Sequence, residues 1–360
     1  MNDIMYNIWL SLIAGVGPRK QGILLDHFGS ARAVYEASSA QLNTVANVSE
    51  AIVETIIKSR GLNAAMQVLE ESEKKDIRIM TITDSGYPTL LKQIHDPPGI
   101  LYISGKLPDD KLKKIGIIGS RRCTGYGRSV TRELSSRLAE HNIVTVSGMA
   151  RGIDSIAHKG AIEAGGLTIA VLGCGTDVCY PPENIELMRQ IKLNGCLMSE
   201  YPPGVQPVAG YFPARNRIIS GLSQILIVTE AARRSGTLIT VSQALEQGRE
   251  VMAVPGNINS RLSDGPNELI RDGAAVVTSY QDILHTLNIS GKEYVNQNTQ
   301  EELAMEEKLV YDCMAFQPEG FESIVEKSGL STQTVNYVLT MLELKGYLLK
   351  LPGQRYEKLR

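Results

Sequence analysis

Residues 113–159, KKIGIIGSRRCTGYGRSVTRELSSRLAEHNIVTVSGMARGIDSIAHK, decide the fold. The first apolar run, Ile115-Gly116-Ile117-Ile118, is short and bounded by charge and glycine, as a parallel strand buried on both faces is. Gly119-Ser120-Arg121 then turns the chain. Over residues 129–140 the apolar positions Val130, Leu134, Leu138 and Ala139 recur at helical spacing. A second strand, residues 143–146, ends in Ser147-Gly148-Met149-Ala150-Arg151-Gly152-Ile153-Asp154, and another helix begins near Ser155. Two consecutive strand ends therefore carry glycine, serine and arginine together. Helix starts leave backbone N–H groups unpaired, glycines let a phosphate approach them, and arginine adds a bidentate donor. Gly119, Ser120, Arg121, Ser147, Gly148, Arg151 and Gly152 are thus candidate phosphate-binding residues, at the carboxyl ends of parallel strands where such sites lie.

Outward from this stretch, short apolar runs at residues 168–172, 195–199, 225–228 and 250–254 alternate with helical patterns, which predicts a doubly wound α/β domain. Residues 80–107 are dense in turn residues and read as its lead-in. Near the N-terminus, Gly15-Val16-Gly17-Pro18-Arg19-Lys20 joins two helical patterns in a tight hairpin. Residues 42–57 repeat that outline weakly, without the paired glycines. The pair reads as a degenerate helix-hairpin-helix (SAM-like) module. Residues 288–300 are polar and aperiodic, and beyond them three helical patterns and a hairpin around Pro352-Gly353 predict a winged helix. The expected organisation is a helical domain over 1–79, a Rossmann-like domain over 80–287, a linker over 288–305 and a winged helix over 306–360.

The 360-residue chain is 43% hydrophobic, ample for packed cores, and its formal net charge of -2 confines any nucleic-acid binding to a local patch. Five cysteines without a C-x-x-C pair disfavour a disulfide framework and fit a reduced cytoplasm. No run is long enough to span a bilayer, and the N-terminus does not resemble a signal peptide. The outward face expected of the winged-helix recognition helix, Gln333, Asn336, Tyr337, Thr340 and Glu343, is scarcely basic, which favours protein contact over duplex binding.

Glycines at 119, 125 and 127 depart from the dinucleotide fingerprint, and no G-x-x-x-x-G-K-[ST] occurs, so neither a nicotinamide cofactor nor an ATP site is expected. Tyr211-Phe212-Pro213-Ala214-Arg215-Asn216-Arg217 puts aromatics beside arginines, the combination that stacks bases and holds phosphates. This reads as a third candidate loop, contributing Phe212, Arg215, Asn216 and Arg217. Ser235-Gly236-Thr237 opens a further helix as a fourth. Asp154 and His158, four apart, fit either an acid–base pair or a helix cap beside a packed histidine, and the second is the simpler reading. No metal-spaced cluster or nucleophile–base combination stands out.

Ile118-Gly119-Ser120-Arg121, the Ser147 to Asp154 segment, Ala170-Val171-Leu172-Gly173-Cys174-Gly175, Tyr180-Pro181-Pro182-Glu183-Asn184, Ser199-Glu200-Tyr201-Pro202-Pro203-Gly204, Phe212 to Gly221 and Val254-Pro255-Gly256 together resemble the bacterial DNA-processing DprA (Smf) family. That resemblance implies an extended Rossmann fold that dimerises, binds single-stranded DNA with Tyr180 among its contacts, needs no cofactor, and loads the recombinase RecA during natural transformation. The alternative is an enzyme similar to phosphoribohydrolases of the lysine-decarboxylase-like fold, whose P-G-G-x-G-T-x-x-E motif supplies a catalytic glutamate. Here Thr240 stands at that position, and the general acid–base group is missing.

Overall fold

The computed structural model describes residues 3–289, 304–315, 317–345 and 347–358. Most of the linker expected over 288–305 lies outside the described residues, as do Phe316 and Leu359 at the expected ends of a helix and the hairpin. The chain forms two compact units, Met1–Leu287 and Asn288–Arg360.

The first unit is built on a nine-stranded sheet. In chain order its strands are β1 (Ile77–Thr81), β2 (Ile100–Gly105), β3 (Lys114–Ile118), β4 (Val144–Ser147), β5 (Thr168–Leu172), β6 (Gly195–Ser199), β7 (Ile225–Val228), β8 (Glu250–Ala253) and β9 (Ala275–Val276). They lie side by side as β1-β2-β6-β5-β4-β3-β7-β8-β9, parallel from β6 to β9, with β1 and β2 added antiparallel at one edge. Ile115 of β3 sits between Thr145 of β4 and Ile225 of β7. β3, β4, β5 and β7 are buried along their whole length, because connecting helices such as Gly125–Glu140 and Tyr211–Leu222 cover both faces. Strand order reverses between β3 and β7, which makes their carboxyl ends the topological switch point.

The N-terminal helices share a core with the antiparallel edge. Trp9, Leu24, Leu42 and Ile56 pack with Ile77, Ile100 and Tyr102, and the boundary expected at residue 79 falls inside β1. Both hairpins of the helix-hairpin-helix outline are present. Gly15 turns the first with φ +79, and Asn47 turns the second with φ 63. Asparagine tolerates the left-handed region better than other residues with a side chain, so the second hairpin keeps its turn without glycine.

In the second unit the helices Met305–Cys313, Phe321–Ser328 and Thr332–Leu344 pack through Val310, Ile324, Val335 and Leu339. Against them lies a small sheet of β10 (Glu319–Gly320), β11 (Leu348–Leu351) and β12 (Arg355–Lys358), ordered β10-β12-β11. This is a winged helix, and Gln333, Asn336, Tyr337, Thr340 and Glu343 face outward on its third helix as expected. No described helix is long and apolar enough to cross a membrane.

Candidate nucleic-acid interface

Three loops meet at the carboxyl ends of β3, β4 and β5. The turn after β4 is fixed from several sides. Ser147 is fully buried and donates its hydroxyl to the Ile117 carbonyl at 2.6 Å, clamping β4 to β3. The Asp154 carboxylate accepts from the Gly148 amide at 3.1 Å. Asn184, beyond β5, donates to the Met149 carbonyl at 2.9 Å. Gly152, at φ +74, lies so close to the β3 turn that a Cβ there would sit 2.2 Å from the Ser120 carbonyl oxygen. Only glycine permits this approach, and the Ile153 amide then donates to that same carbonyl at 3.1 Å. The β3 and β4 turns are thereby locked together, with Arg121 on the outside.

The result is a cleft lined by Arg121, Gly148, Arg151, Tyr180, Phe212 and Arg215, among others. The Arg121 guanidinium stands 5.9 Å from the Phe212 ring centre, within cation–π range. Phe212 and Tyr180 have ring centres 5.3 Å apart at 34°, and Tyr180 is 39% exposed. Arg121 is exposed and makes no ion pair among the described residues. Arg151 is exposed and paired with the equally exposed Glu183, a contact weak enough for a phosphate to replace. A cation free of carboxylates beside two aromatic faces can hold a phosphate and stack bases.

The aromatic-arginine segment is not the loop expected from its sequence. Tyr211–Leu222 is a helix, with Pro213 in its first turn, where proline's missing N–H is no loss. Of this segment Phe212 faces the cleft and Arg215 forms part of its floor, while Arg217 points into the interior. Arg215 is buried and donates to the Gly148 carbonyl at 2.8 Å and to the Val171 carbonyl. Its guanidinium would lie 2.6 Å from a Cβ on Gly148, so this glycine makes room for an arginine rather than for a ligand. Arg217 is 5% exposed, donates through Nη2 to both oxygens of Glu200 at 2.8 Å and pairs through Nε with Asp96 at 3.0 Å, while its buried Nη1 has no partner among the described residues. The half-buried Asn216 is taken up at 3.2 Å by Arg215. Ser235 caps its helix by accepting from the Thr237 amide at 3.0 Å, and Thr237 donates to the Gly119 carbonyl at 3.3 Å. The fourth segment therefore braces the β3 turn from the β7 side without lining the cleft.

Sequence reading missed Glu230. It directly follows β7 and is 1% exposed, and its carboxylate accepts from the Thr124 amide at 2.8 Å and from the Thr124 hydroxyl. A Cβ on Gly127 would meet this carboxylate at 2.4 Å. The start of helix Gly125–Glu140, where a Rossmann fold holds its dinucleotide phosphates, is thus filled by a side chain of the protein itself. The signal was an acid two residues beyond an apolar strand.

Asp154 and His158, the pair four residues apart, are both buried. His158 is fully buried, its Nδ1 2.6 Å from the Thr168 hydroxyl, and burial, with the nearby Arg215 charge, pushes its pKa down to about 3. Burial raises the Asp154 pKa, with Arg215 pulling the other way. These two residues are a brace and a packed neutral ring. Thr240 is buried. No cluster of three or more metal-ligating side chains occurs among the described residues.

Residues 78–288 match the profile of the family described as DNA recombination-mediator protein A, and residues 296–354 that of the DprA winged helix domain. The sequence is 34% identical to Protein Smf of Synechocystis sp. over 97% of this chain and 98% of that one. To the DNA processing protein DprA of Streptococcus pneumoniae it is 47% identical over 57% of this chain and 72% of that one. The solved structure of the Streptococcus pneumoniae protein superposes with a TM-score of 0.68 at 34% identity, over 79% of this chain and 98% of that one. DNA processing protein A of Helicobacter pylori, described for its single-stranded DNA binding mode, superposes with a TM-score of 0.53 at 32% identity, over 59% of this chain and 97% of that one.

Proposed function

Because this chain belongs to the DNA recombination-mediator protein A family, we propose that it binds single-stranded DNA, without cleaving it, along the carboxyl ends of β3, β4 and β5. The observation that carries this reading is Arg121 held over Phe212 beside the exposed Tyr180. Rings of this kind take bases that are already unstacked, so a single strand is favoured over a duplex. Gly119, Ser120, Gly148 and Gly152 shape the turns, Arg121 and Arg151 meet the phosphates, and Tyr180 and Phe212 meet the bases. Arg215 acts from beneath as the floor.

The bound strand then serves in the cytoplasm as the platform on which the RecA recombinase assembles, in DNA uptake, natural transformation and recombination. The winged helix contributes protein contacts, since residues 304–358 carry eight carboxylates against six lysines and arginines. Two copies pair through the β9 edge, where Val276 is exposed and Ile239 and Leu245 stand exposed on the helix packed against β8.

The test is binding of the purified protein to single-stranded and blunt duplex oligonucleotides across a salt series. Three or four phosphate contacts give a log–log slope of about -2 to -3 for the single strand. Equal affinity for the duplex, or cleavage of either substrate, overturns the reading.

A further inference from the structure

Sorting the arginines of the sheet's carboxyl edge by what they touch separates two groups. Arg151, Arg217 and Arg233 are matched to Glu183, to Glu200 with Asp96, and to Glu268. Arg122, Arg128, Arg234 and Arg261 are exposed and make no ion pair among the described residues. Arg122 and Arg128 follow β3, Arg234 follows β7 and Arg261 follows β8. β7 and β8, which two of them follow, lie on the other side of β3 from β4 and β5.

Hydrogen bonds hold these segments together. Thr237, just beyond Arg234, donates to the Gly119 carbonyl at 3.3 Å. The Ala231 amide donates to the carbonyl of Leu262, next to Arg261, at 2.7 Å. Tyr126, on the first turn after β3, donates its hydroxyl to the Pro255 carbonyl beyond β8 at 2.7 Å. That last bond has a second effect. The hydroxyl is engaged, yet the residue remains 45% exposed, so its ring is a fixed aromatic surface on the segment that carries Arg122 and Arg128, tied to the segment that leads to Arg261. The carboxylates of this region are otherwise engaged: Glu230 is buried against Thr124, Glu268 pairs with Arg233 and Arg271, and Asp264 lies toward Arg233.

We infer that the DNA strand does not end at the Arg121 cleft but continues across the carboxyl ends of β3, β7 and β8, past Tyr126, on Arg122, Arg128, Arg234 and Arg261. This inference rests on the single-strand reading above and extends its site by two strand spacings, about 10 Å, which is room for about two further nucleotides. Unmatched guanidinium groups along a path with an aromatic step are what a sequence-tolerant single-strand track requires.

The experiment compares fluorescence anisotropy of oligothymidines of about 6 and about 20 nucleotides, lengths chosen below and above one module's site size, with wild type, Tyr126→Leu and the double variant Arg234→Ala/Arg261→Ala. All three side chains are exposed, and equal melting temperatures verify the fold. Wild type binds the long oligomer more tightly than the short one. The double variant binds the short oligomer as wild type does, loses tenfold or more on the long one, and has a log–log salt slope shallower by about 1.4, the share of two phosphate contacts on a single strand. Tyr126→Leu loses roughly tenfold on the long oligomer alone. Wild-type affinity and salt slope of the double variant on the long oligomer overturn the extension while leaving the cleft intact. Failure of wild type to bind either length overturns the single-strand reading itself.

Discussion

Arg121 and Arg217 belong to the same domain and lie beside the same kinds of residue in the sequence, yet they do opposite work. Arg121 sits on a turn after a strand, outside the clamp made by Gly152, with Phe212 beneath it and no ion pair among the described residues. Arg217 comes from the body of a helix and is buried between Glu200 and the partly exposed Asp96. One is left outside any ion pair at the surface, and the other is held inside by two carboxylates through its Nε and Nη2. An arginine in a motif is therefore not yet a phosphate contact. What decides is whether the backbone that carries it leaves the sheet or covers it, and whether acids elsewhere in the chain have been placed to meet it.

The sharpest way to break this contrast is Arg217→Ala. Removing the cation leaves the largely buried Glu200 without its partner beside the partly exposed Asp96, and a buried pair broken on one side costs about 3 to 5 kcal/mol. The midpoint of denaturant unfolding should fall accordingly, with DNA affinity lost only in proportion to unfolded protein. A variant of wild-type stability with weakened binding would make Arg217 a phosphate ligand after all. Arg121→Ala should do the reverse, weakening single-strand binding by about 1.5 to 3 kcal/mol, ten- to a hundredfold, with little change in melting temperature. Unchanged affinity in the folded variant, measured beside RecA filament formation on the coated strand, would remove Arg121 from the site.

The smallest effect concerns the interior alone. The pKa of His158 is lowered to about 3 in the fold, against an ordinary value of 6.5, so the unfolded chain binds the extra proton first. Its contribution to stability is complete above pH 6.5 and is lost as pH falls toward 3, at most about 1.4 kcal/mol per unit. Stability measured between pH 6.5 and 4.5 should therefore decline less steeply in His158→Asn than in wild type. Equal slopes would mean that the interior accepts a charge there.

What the sequence disclosed follows the same line. The strands at 115–118, 168–172 and 225–228 are readable because a parallel strand covered on both faces must be continuously apolar, and the winged helix because each of its helices carries its own period. The β3 and β4 turns were readable as a candidate site because their glycines and arginines are adjacent along the chain. The fate of Arg217 was not, since Asp96 lies 121 residues away and only the tertiary fold brings the two together. Pro213 and its neighbours resembled a loop because proline marks both loops and first helical turns. Asn47 made the second hairpin only a weak repeat in the sequence, and Glu230 was invisible because its significance lies in the amide and hydroxyl of Thr124, more than a hundred residues earlier.

Glu230 makes this Rossmann sheet a fold that carries its own ligand. A carboxylate fixed by the backbone competes for the helix start at an effective concentration that starts in the millimolar range even for loosely tethered groups. A free dinucleotide has to displace it and leave a buried acid without its donors. In linkage terms the stabilisation that other members of this architecture draw from a bound cofactor is here covalently built in, so it does not rise and fall with the nucleotide supply. The start of helix Gly125–Glu140 is thereby insulated from changes in the supply of free nucleotide.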